Sequence, residues 1–255
     1  MTQIVPPIPA AVSAFFPLSE VKVWSLIVTI LGDLAPHEGQ GVEGPVLTAL
    51  VERMGVQPQA MRVALHRLRK DAWIDSDKQG RVVTYRLSAM ARTRTQEAQS
   101  MIYGGVTGSA DLWINITAPD HGADGFAIAP RVIVADHIID DALVMRWTGD
   151  ALPAWVVAQI EQSAIVARHA GLVADLGLLR QSLGQNSDVM ARTVLRLIVL
   201  HRWRRIILRT DPRAMALLPM EAAPHRCRAL VAEVLSACPR PHLADLATAL
   251  AEARG

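Results

Sequence analysis

The chain has 255 residues, of which 51% are hydrophobic, and a formal net charge of +2. This length and composition exclude a disordered chain and predict roughly two or three domains. Cys227 and Cys238 are too few for a disulfide framework and lack the paired spacing of a zinc site, so we expect two buried thiols.

Residues 1–18 are apolar, but they do not resemble a signal peptide. They lack a basic start and contain Pro6, Pro7 and Pro9. The most apolar later stretch, 194–208, is interrupted by arginines and a histidine, which argues against a transmembrane helix. We therefore expect a cytoplasmic protein with no membrane partner.

The first predicted helix begins after Ser19, a residue suited to capping a helix N-terminus. Its apolar residues recur at helical spacing at Val23, Trp24, Ile27, Val28 and Leu31. We interpret the Gly-rich segment that follows, 32–44, as a solvated loop. Its side chains Asp33, His37 and Glu38 do not have a recognised metal-ligand spacing.

Residues 45–70 have the pattern of two helices joined by a tight turn. The first of these helices ends at Gly55, because glycine tolerates the positive φ of a sharp turn. The second opens at Gln57, with Pro58 in its first turn, where no backbone donor is lost.

A short hairpin is predicted directly after this helix pair. Trp73 and Ile74 form a short strand, Lys78, Gly80 and Arg81 occupy a turn, and residues 83–87 form the returning strand. Helix, turn, helix and hairpin together predict a winged helix-turn-helix within a first domain at residues 18–90.

Met61, Ala64, Leu65 and Leu68 form an apolar stripe on the second helix of the pair. We expect this stripe to pack inwards, so the polar residues of the helix face outwards. Basic residues outnumber acidic ones between 62 and 94, although the whole chain is nearly neutral. Such a helix fits the major groove of DNA, and basic side chains in a wing reach the flanking phosphates. The predicted DNA-binding residues are Gln57, Gln59, Arg62, Val63, His66, Arg67, Arg69, Lys70, Lys78 and Arg81. The alternative is a solvated helical hairpin with a charged outer face.

Residues 91–150 are predicted to form a polar linking helix and a small central α+β domain. The strands of this domain are expected at 112–117, 126–128, 131–135 and 143–147. Two Asp-His-x-x-Asp units, at 120–124 and 136–140, suggest an alternative function as a metal-dependent hydrolase or nuclease. Asp and His are also ordinary turn residues, and no motif of a nucleophilic or phosphate-binding enzyme supports catalysis. We therefore expect a protein that is not an enzyme and needs no metal or cofactor.

Residues 151–255 are rich in Ala and Leu and are predicted to form a helical third domain, with Gly171 as a break. Its longest helix carries a cluster of basic residues around an aromatic one. Such a cluster binds phosphate-bearing ligands, or it forms an ion-paired or solvated helix face. The candidate effector-binding residues are Arg202, Trp203, Arg204 and Arg205.

Several of these motifs together resemble the PaaX family of transcriptional repressors. They are residues 61–68 with Trp73, residues 85–88 of the wing, and residues 101–104. Residues 201–205, 211–213 and 217–219 resemble the C-terminal signature of that family. The sequence departs from the family pattern at Ala72, where glycine is common, and at His66, where a small or hydroxyl residue is common.

The resemblance implies a mainly α fold with α+β parts. It has an N-terminal winged helix-turn-helix, a central ferredoxin-like domain and a C-terminal helical domain. The central domain is shortened here, because the stretch between Trp113 and Phe126 is too short for a helix. The implied function is that of a homodimeric repressor of an aromatic-acid catabolic operon that binds double-stranded operator DNA. Its implied effector is an acyl-coenzyme A such as phenylacetyl-coenzyme A.

Overall fold

The computed structural model of the protein describes residues 22–104, 111–119, 124–149, 152–161, 164–180 and 188–253. Within these ranges the chain is mostly helical and has two small antiparallel sheets. Its N-terminal part contains α1 (Val23–Leu34), β1 (Val42–Glu43), α2 (Gly44–Arg53), α3 (Pro58–Lys70), β2 (Ile74–Gln79) and β3 (Val82–Leu87). The three strands form a sheet in the order β1, β3, β2, so β3 is the central strand.

The helices α2 and α3 lie where the sequence predicts them. The backbone turns at Gly55, whose φ is 84°, and the Val56 amide donates to the Val51 carbonyl at 3.0 Å. Gln57 is the N-cap of α3, and Pro58 is in its first turn. The predicted inward stripe is buried and packs α3 against α1; it consists of Met61, Ala64, Leu65 and Leu68.

Two local predictions in this part are wrong. The first helix continues through Asp33, which is fully buried, and the predicted loop contributes the strand β1. A strand of two residues is too short to give an alternating pattern, so the sequence does not reveal it. The strand predicted at Trp73 and Ile74 begins at Ile74 and runs to Gln79, so Lys78 lies within β2, opposite Val83, while Gly80 and Arg81 make the turn.

The predicted linking helix is divided into α4 (Ala89–Glu97) and α5 (Gln99–Tyr103). The second sheet comprises β4 (Trp113–Ile116), β5 (Phe126–Ala129), β6 (Val132–Ala135) and β7 (Leu143–Arg146). Its order is β5, β6, β4, β7, and all neighbouring strands are antiparallel. The residues between β6 and β7 form turns, held by the buried Asn115, whose Oδ1 accepts a hydrogen bond from the Ile139 amide at 2.9 Å.

The C-terminal part is helical, as predicted. Its helices are α6 (Ala154–Glu161), α7 (Ala164–Arg180), α8 (Val189–Ile207), α9 (Pro212–Ala216), α10 (Ala223–Ala237) and α11 (Leu243–Glu252). The break predicted at Gly171 is wrong, because α7 runs through it. Leu172, Leu176 and Leu179 are buried at helical spacing, and their packing outweighs the cost of about 1 kcal/mol for one helical glycine.

The buried side chains form two main clusters. The larger one extends from α1, α2 and α3 through Ile102 to α7, α8, α10 and α11, so the N-terminal part and the C-terminal helices share one core. The smaller cluster joins the second sheet to α6 and α9 and includes Leu217 and Leu218. None of the described helices is long and apolar enough to cross a membrane.

Candidate nucleic-acid interface

One face of α3 is turned to solvent. The predicted DNA-binding residues of α3 and its N-cap are all exposed; they are Gln57, Gln59, Arg62, Val63, His66, Arg67, Arg69 and Lys70. Helical spacing places Gln59, Val63, His66 and Lys70 along the centre of this face. Val63 is 61% exposed although it is apolar. The face therefore combines amide, basic and apolar groups, which are the side-chain types that pair with base edges or contact the thymine methyl group.

The arginines of α3 lie on opposite flanks of this face. Arg62 and Arg69 share one flank, and Arg67 is on the other, because a residue of an α-helix is rotated by about 100° from its neighbour. The guanidinium of Arg67 lies 5.7 Å from the centre of the Trp24 ring of α1. Its Nε lies 3.4 Å from Oδ2 of Asp71. These contacts hold Arg67 at the edge of the face beside α1.

The hairpin of β2 and β3 presents its basic residues at the tip. Lys78 and Arg81 are both exposed, on either side of Gly80, whose φ is 61°. Further from the tip, Oδ2 of Asp77 lies 3.8 Å from Nη1 of Arg86 on the neighbouring strand. The positive charge of the hairpin is therefore concentrated at its tip.

A buried ion pair joins α1, the helix on which α3 packs, to the C-terminal helices. Nε and Nη2 of Arg196 on α8 donate to the two carboxylate oxygens of Asp33 on α1, at 2.7 and 2.9 Å. The Tyr103 hydroxyl donates to Oδ1 of Asp33 at 2.8 Å. Nη2 of Arg240 lies 3.5 Å from the same oxygen. Burial, together with the charge and hydrogen bond of Asp33, raises the pKa of Tyr103 above its ordinary range.

Arg196 has a second role at the end of α10. Its Nη1 donates to the carbonyl oxygens of Leu235 and Cys238, at 3.2 and 3.0 Å. Although burial lowers its pKa, the hydrogen bond and charge of Asp33 raise it more, so the guanidinium stays charged inside the protein. Helices α1, α8 and α10 are thus held together by one side chain.

The predicted effector residues on α8 are mostly engaged within the fold. Trp203 is fully buried, and its Nε1 donates to the Ile102 carbonyl at 2.9 Å, so it offers no open ring face to a ligand. Arg202 pairs with Asp175 of α7 at 2.7 Å. Arg204 donates to the Thr29 hydroxyl of α1 at 2.7 Å. For Arg202, Trp203 and Arg204 this arrangement favours the alternative of a helix face that is paired within the fold, while Arg205 on the same turn is exposed.

His201 lies in the same interface between α8 and α1. Its Nδ1 is 3.1 Å from the Thr29 hydroxyl oxygen, and its side chain is almost completely buried. Burial, with smaller contributions from the charges of Arg204 and Arg205, lowers the pKa of His201 to about 3. The imidazole is therefore neutral at physiological pH.

The second Asp-His-x-x-Asp unit forms a turn after β6. Nδ1 of His137 lies 2.9 Å from Oδ1 of Asp136, and this hydrogen bond lowers the pKa of Asp136. Of the first unit, residues 120–123 lie outside the described ranges. Among the described residues no three His, Cys, Asp or Glu side chains are grouped as metal ligands. The metal-dependent alternative gains no support.

The N-terminal part matches a known family. The family model described as PaaX-like protein matches residues 22–91. The transcriptional repressor PaaX of Escherichia coli strain K12 is 38% identical over 79 residues, which are 31% of this chain and 25% of that protein. We refer to residues 22–91, which match this family model, as the PaaX-like domain. The match spans about a quarter of the curated relative, and over this part the predicted family resemblance is confirmed.

The PaaX-like domain contains α1 to β3 and therefore every predicted DNA-binding residue. The C-terminal motifs at 201–219 lie outside the matched residues. There, Asp211 caps α9 by accepting a hydrogen bond from the Arg213 amide at 2.9 Å, and Leu217 and Leu218 pack under the second sheet.

A solved structure resembles the whole chain in fold. It is the uncharacterized protein Rv0674 from Mycobacterium tuberculosis, with a TM-score of 0.51 and 16% sequence identity. The alignment covers 92% of this chain and 99% of that chain. The similarity concerns the fold alone.

The sequence interpretation missed the group around Asp33. Its members, Asp33, Tyr103, Arg196 and Arg240, come from three helices and the segment before α11, so no spacing connects them. The available signal was weaker. Arg196 is the one charged residue in the apolar run 194–200 of a predicted helix, and a charge that such a helix buries requires a partner.

Proposed function

We propose that the protein is a sequence-specific transcriptional repressor that binds double-stranded DNA through its PaaX-like domain. The observation that carries this proposal is the exposed face of α3 beside a hairpin with a basic tip. The order α1, β1, α2, α3, β2, β3 with a three-stranded antiparallel sheet supports a winged helix-turn-helix. A regulator accounts for this surface better than an enzyme, given the relative's description as a transcriptional repressor.

The N-terminal half of α3 is expected to read the bases. In helix-turn-helix proteins the first residues of the recognition helix contact base edges. Gln59, Arg62 and Val63 occupy this part of α3. Arg67, Arg69 and the residues of the hairpin tip are expected to contact phosphates, which position the protein without reading sequence.

The same proposal covers the domain division, the oligomeric state and the control of DNA binding. The domains comprise residues 18–90, 91–150 and 151–255. The central sheet is a shortened ferredoxin-like unit, because the stretch between Trp113 and Phe126 is too short for the helix expected after the first strand. The protein acts as a homodimer, so two copies of α3 read half-sites related by two-fold symmetry. A small anionic effector, such as an acyl-coenzyme A from aromatic-acid breakdown, releases the dimer from its operator by population shift.

Fluorescence anisotropy tests the proposal on duplexes from upstream of the protein's own gene and of neighbouring operons. Specific binding predicts higher affinity than for scrambled DNA and a strong dependence on salt. Arg62→Ala is expected to weaken operator binding by roughly 1–3 kcal/mol and to relax specificity at one position. Arg67→Ala is expected to weaken binding to all sequences and to reduce the salt slope by about 1.

The matched control is Arg226→Ala, which removes an exposed arginine from α10, outside the PaaX-like domain. It changes the net charge equally and should leave operator affinity nearly unchanged. If Arg62→Ala and Arg67→Ala bind the operator as well as Arg226→Ala does, α3 is not the reading helix.

A further inference from the structure

An open cleft lies between the segment that follows α1, the helix α5 and the segment before α11. Its volume is about 540 Å³, and its polar lining consists of His37, Gln99, Ser100, Tyr103 and Arg240. This volume is within the range of small-molecule sites, roughly 300–1,000 Å³. The cleft is separate from the α8 residues that the sequence suggested as an effector site.

The carboxylate beside this cleft already has its hydrogen bonds. Both oxygens of Asp33 accept from Arg196, and Oδ1 also accepts from the Tyr103 hydroxyl. Asp33 is fully buried, so a ligand in the cleft does not meet its charge directly. One acidic group is thus surrounded by the two arginines Arg196 and Arg240, and the local net charge is positive.

The backbone carbonyls at the end of α5 are also occupied. Nη1 of Arg228 donates to the carbonyls of Met101 and Gly104, and Trp203 donates to that of Ile102. The C-terminal end of a helix carries partial negative charge and repels anions. The guanidinium of Arg228 offsets this charge where α5 ends at the cleft.

Arg240 is the charged group that remains available to the cleft. Its Nη2 is 3.5 Å from Asp33, at the outer limit of a hydrogen bond, and its side chain is 38% exposed. The hydroxyl of Ser100 and the side-chain amide of Gln99 are further donors in the same lining. We propose that this cleft binds a small molecule bearing a carboxylate or phosphate group, with Arg240 as its charge partner.

The site is placed to influence the DNA-binding face. It is lined by α5 and by Pro36 and His37, which follow α1, and α1 is the helix against which α3 packs. Control of DNA binding through this site rests on the proposed function. Anion binding itself does not, and it is tested without DNA.

The test is an NMR titration of the ¹⁵N-labelled full-length protein with pyrophosphate and, separately, with benzoate, at constant ionic strength. Sodium chloride is the reference titrant. Saturable shifts are expected at the backbone amides of Ser100, Tyr103 and Gly104 with at least one of the two anions. The pyrophosphate and benzoate arms distinguish a phosphate ligand from a carboxylate ligand.

Arg240→Gln should weaken the binding by about tenfold or more, because it removes a charge-assisted hydrogen bond. Arg226→Gln, which removes an exposed charge from α10, should leave the affinity within about twofold of the original, since long-range charge effects are screened at this ionic strength. Arg240→Lys keeps the charge and should retain saturable shifts with reduced affinity, which also shows that substitution at this position leaves the fold intact. The proposal is overturned if neither anion gives saturable shifts, if chloride reproduces them, or if Arg240→Gln binds as well as Arg226→Gln.

Discussion

The buried pair of Asp33 and Arg196 provides the sharpest test of how the PaaX-like domain is attached to the rest of the protein. Asp33→Asn keeps the size of the side chain but removes its charge. Arg196 then retains a buried positive charge, because its side chain is only 7% exposed. An uncompensated buried charge of this kind strongly destabilises the folded state.

The structure indicates that Asp33→Asn lowers the free energy of unfolding by an amount near the lower end of the usual range for a broken buried ion pair. Removing one partner of a buried ion pair costs about 3–5 kcal/mol. Arg196 keeps its hydrogen bonds to the carbonyls of Leu235 and Cys238, and the Asn oxygen still accepts from Tyr103 or Arg196. We therefore expect Asp33→Asn to lower the free energy of unfolding by about 3 kcal/mol, a large part of the 5–15 kcal/mol typical of a folded protein.

The assay is urea unfolding followed by far-ultraviolet circular dichroism and by tryptophan fluorescence. Coincident transitions justify a two-state treatment. The control, Asp71→Asn, removes a carboxylate that is 48% exposed and pairs with Arg67 on the surface, so it should cost only about 0–1 kcal/mol. Equal destabilisation by the two substitutions would refute the interpretation that the Asp33 pair holds α1 to α8.

Three further predictions concern a buried histidine, the thiols and the base-reading face. The pKa of His201 is lowered from 6.5 to about 3 in the folded protein. The unfolded chain therefore takes up the proton first, and stability should fall by about 1.4 kcal/mol per pH unit as the pH drops below 6.5. This component should be absent from the pH dependence of urea unfolding in His201→Gln, and identical acid dependence in both proteins would contradict it. Burial raises the pKa of Cys227 to about 12 and also raises the pKa of Cys238. Both thiols should therefore react with Ellman's reagent only after unfolding. Rapid reaction of the native protein would show that they are accessible. Replacing one thymine of the operator by deoxyuridine should weaken binding by about 0.8 kcal/mol, the value of one buried methyl group, in the original protein but not in Val63→Ala. Equal effects of the base change in both proteins at every position would exclude that contact.

The sequence by itself determined the parts of this protein that depend on neighbours along the chain. The turn at Gly55, the start of α3 after Gln57 and the buried stripe of α3 follow from local backbone preferences and a period of 3.6 residues. The same local pattern carried the family resemblance over residues 22–91. The exposed face of α3 was predictable for this reason, since burial of one face of a helix leaves the opposite face to solvent.

Only the tertiary structure decided the features that depend on distant partners. Asp33 and Arg196 are separated by 163 positions, and neither residue's local sequence identifies the other. The basic neighbours of Trp203 allow a ligand-stacking role as one of two alternatives, but packing of α8 places Trp203 inside the core. Gly171 breaks the helical pattern of the sequence, yet the leucines beside it are buried between helices and keep α7 continuous. In each case the deciding energy comes from burial and pairing against another element, which a local pattern does not contain.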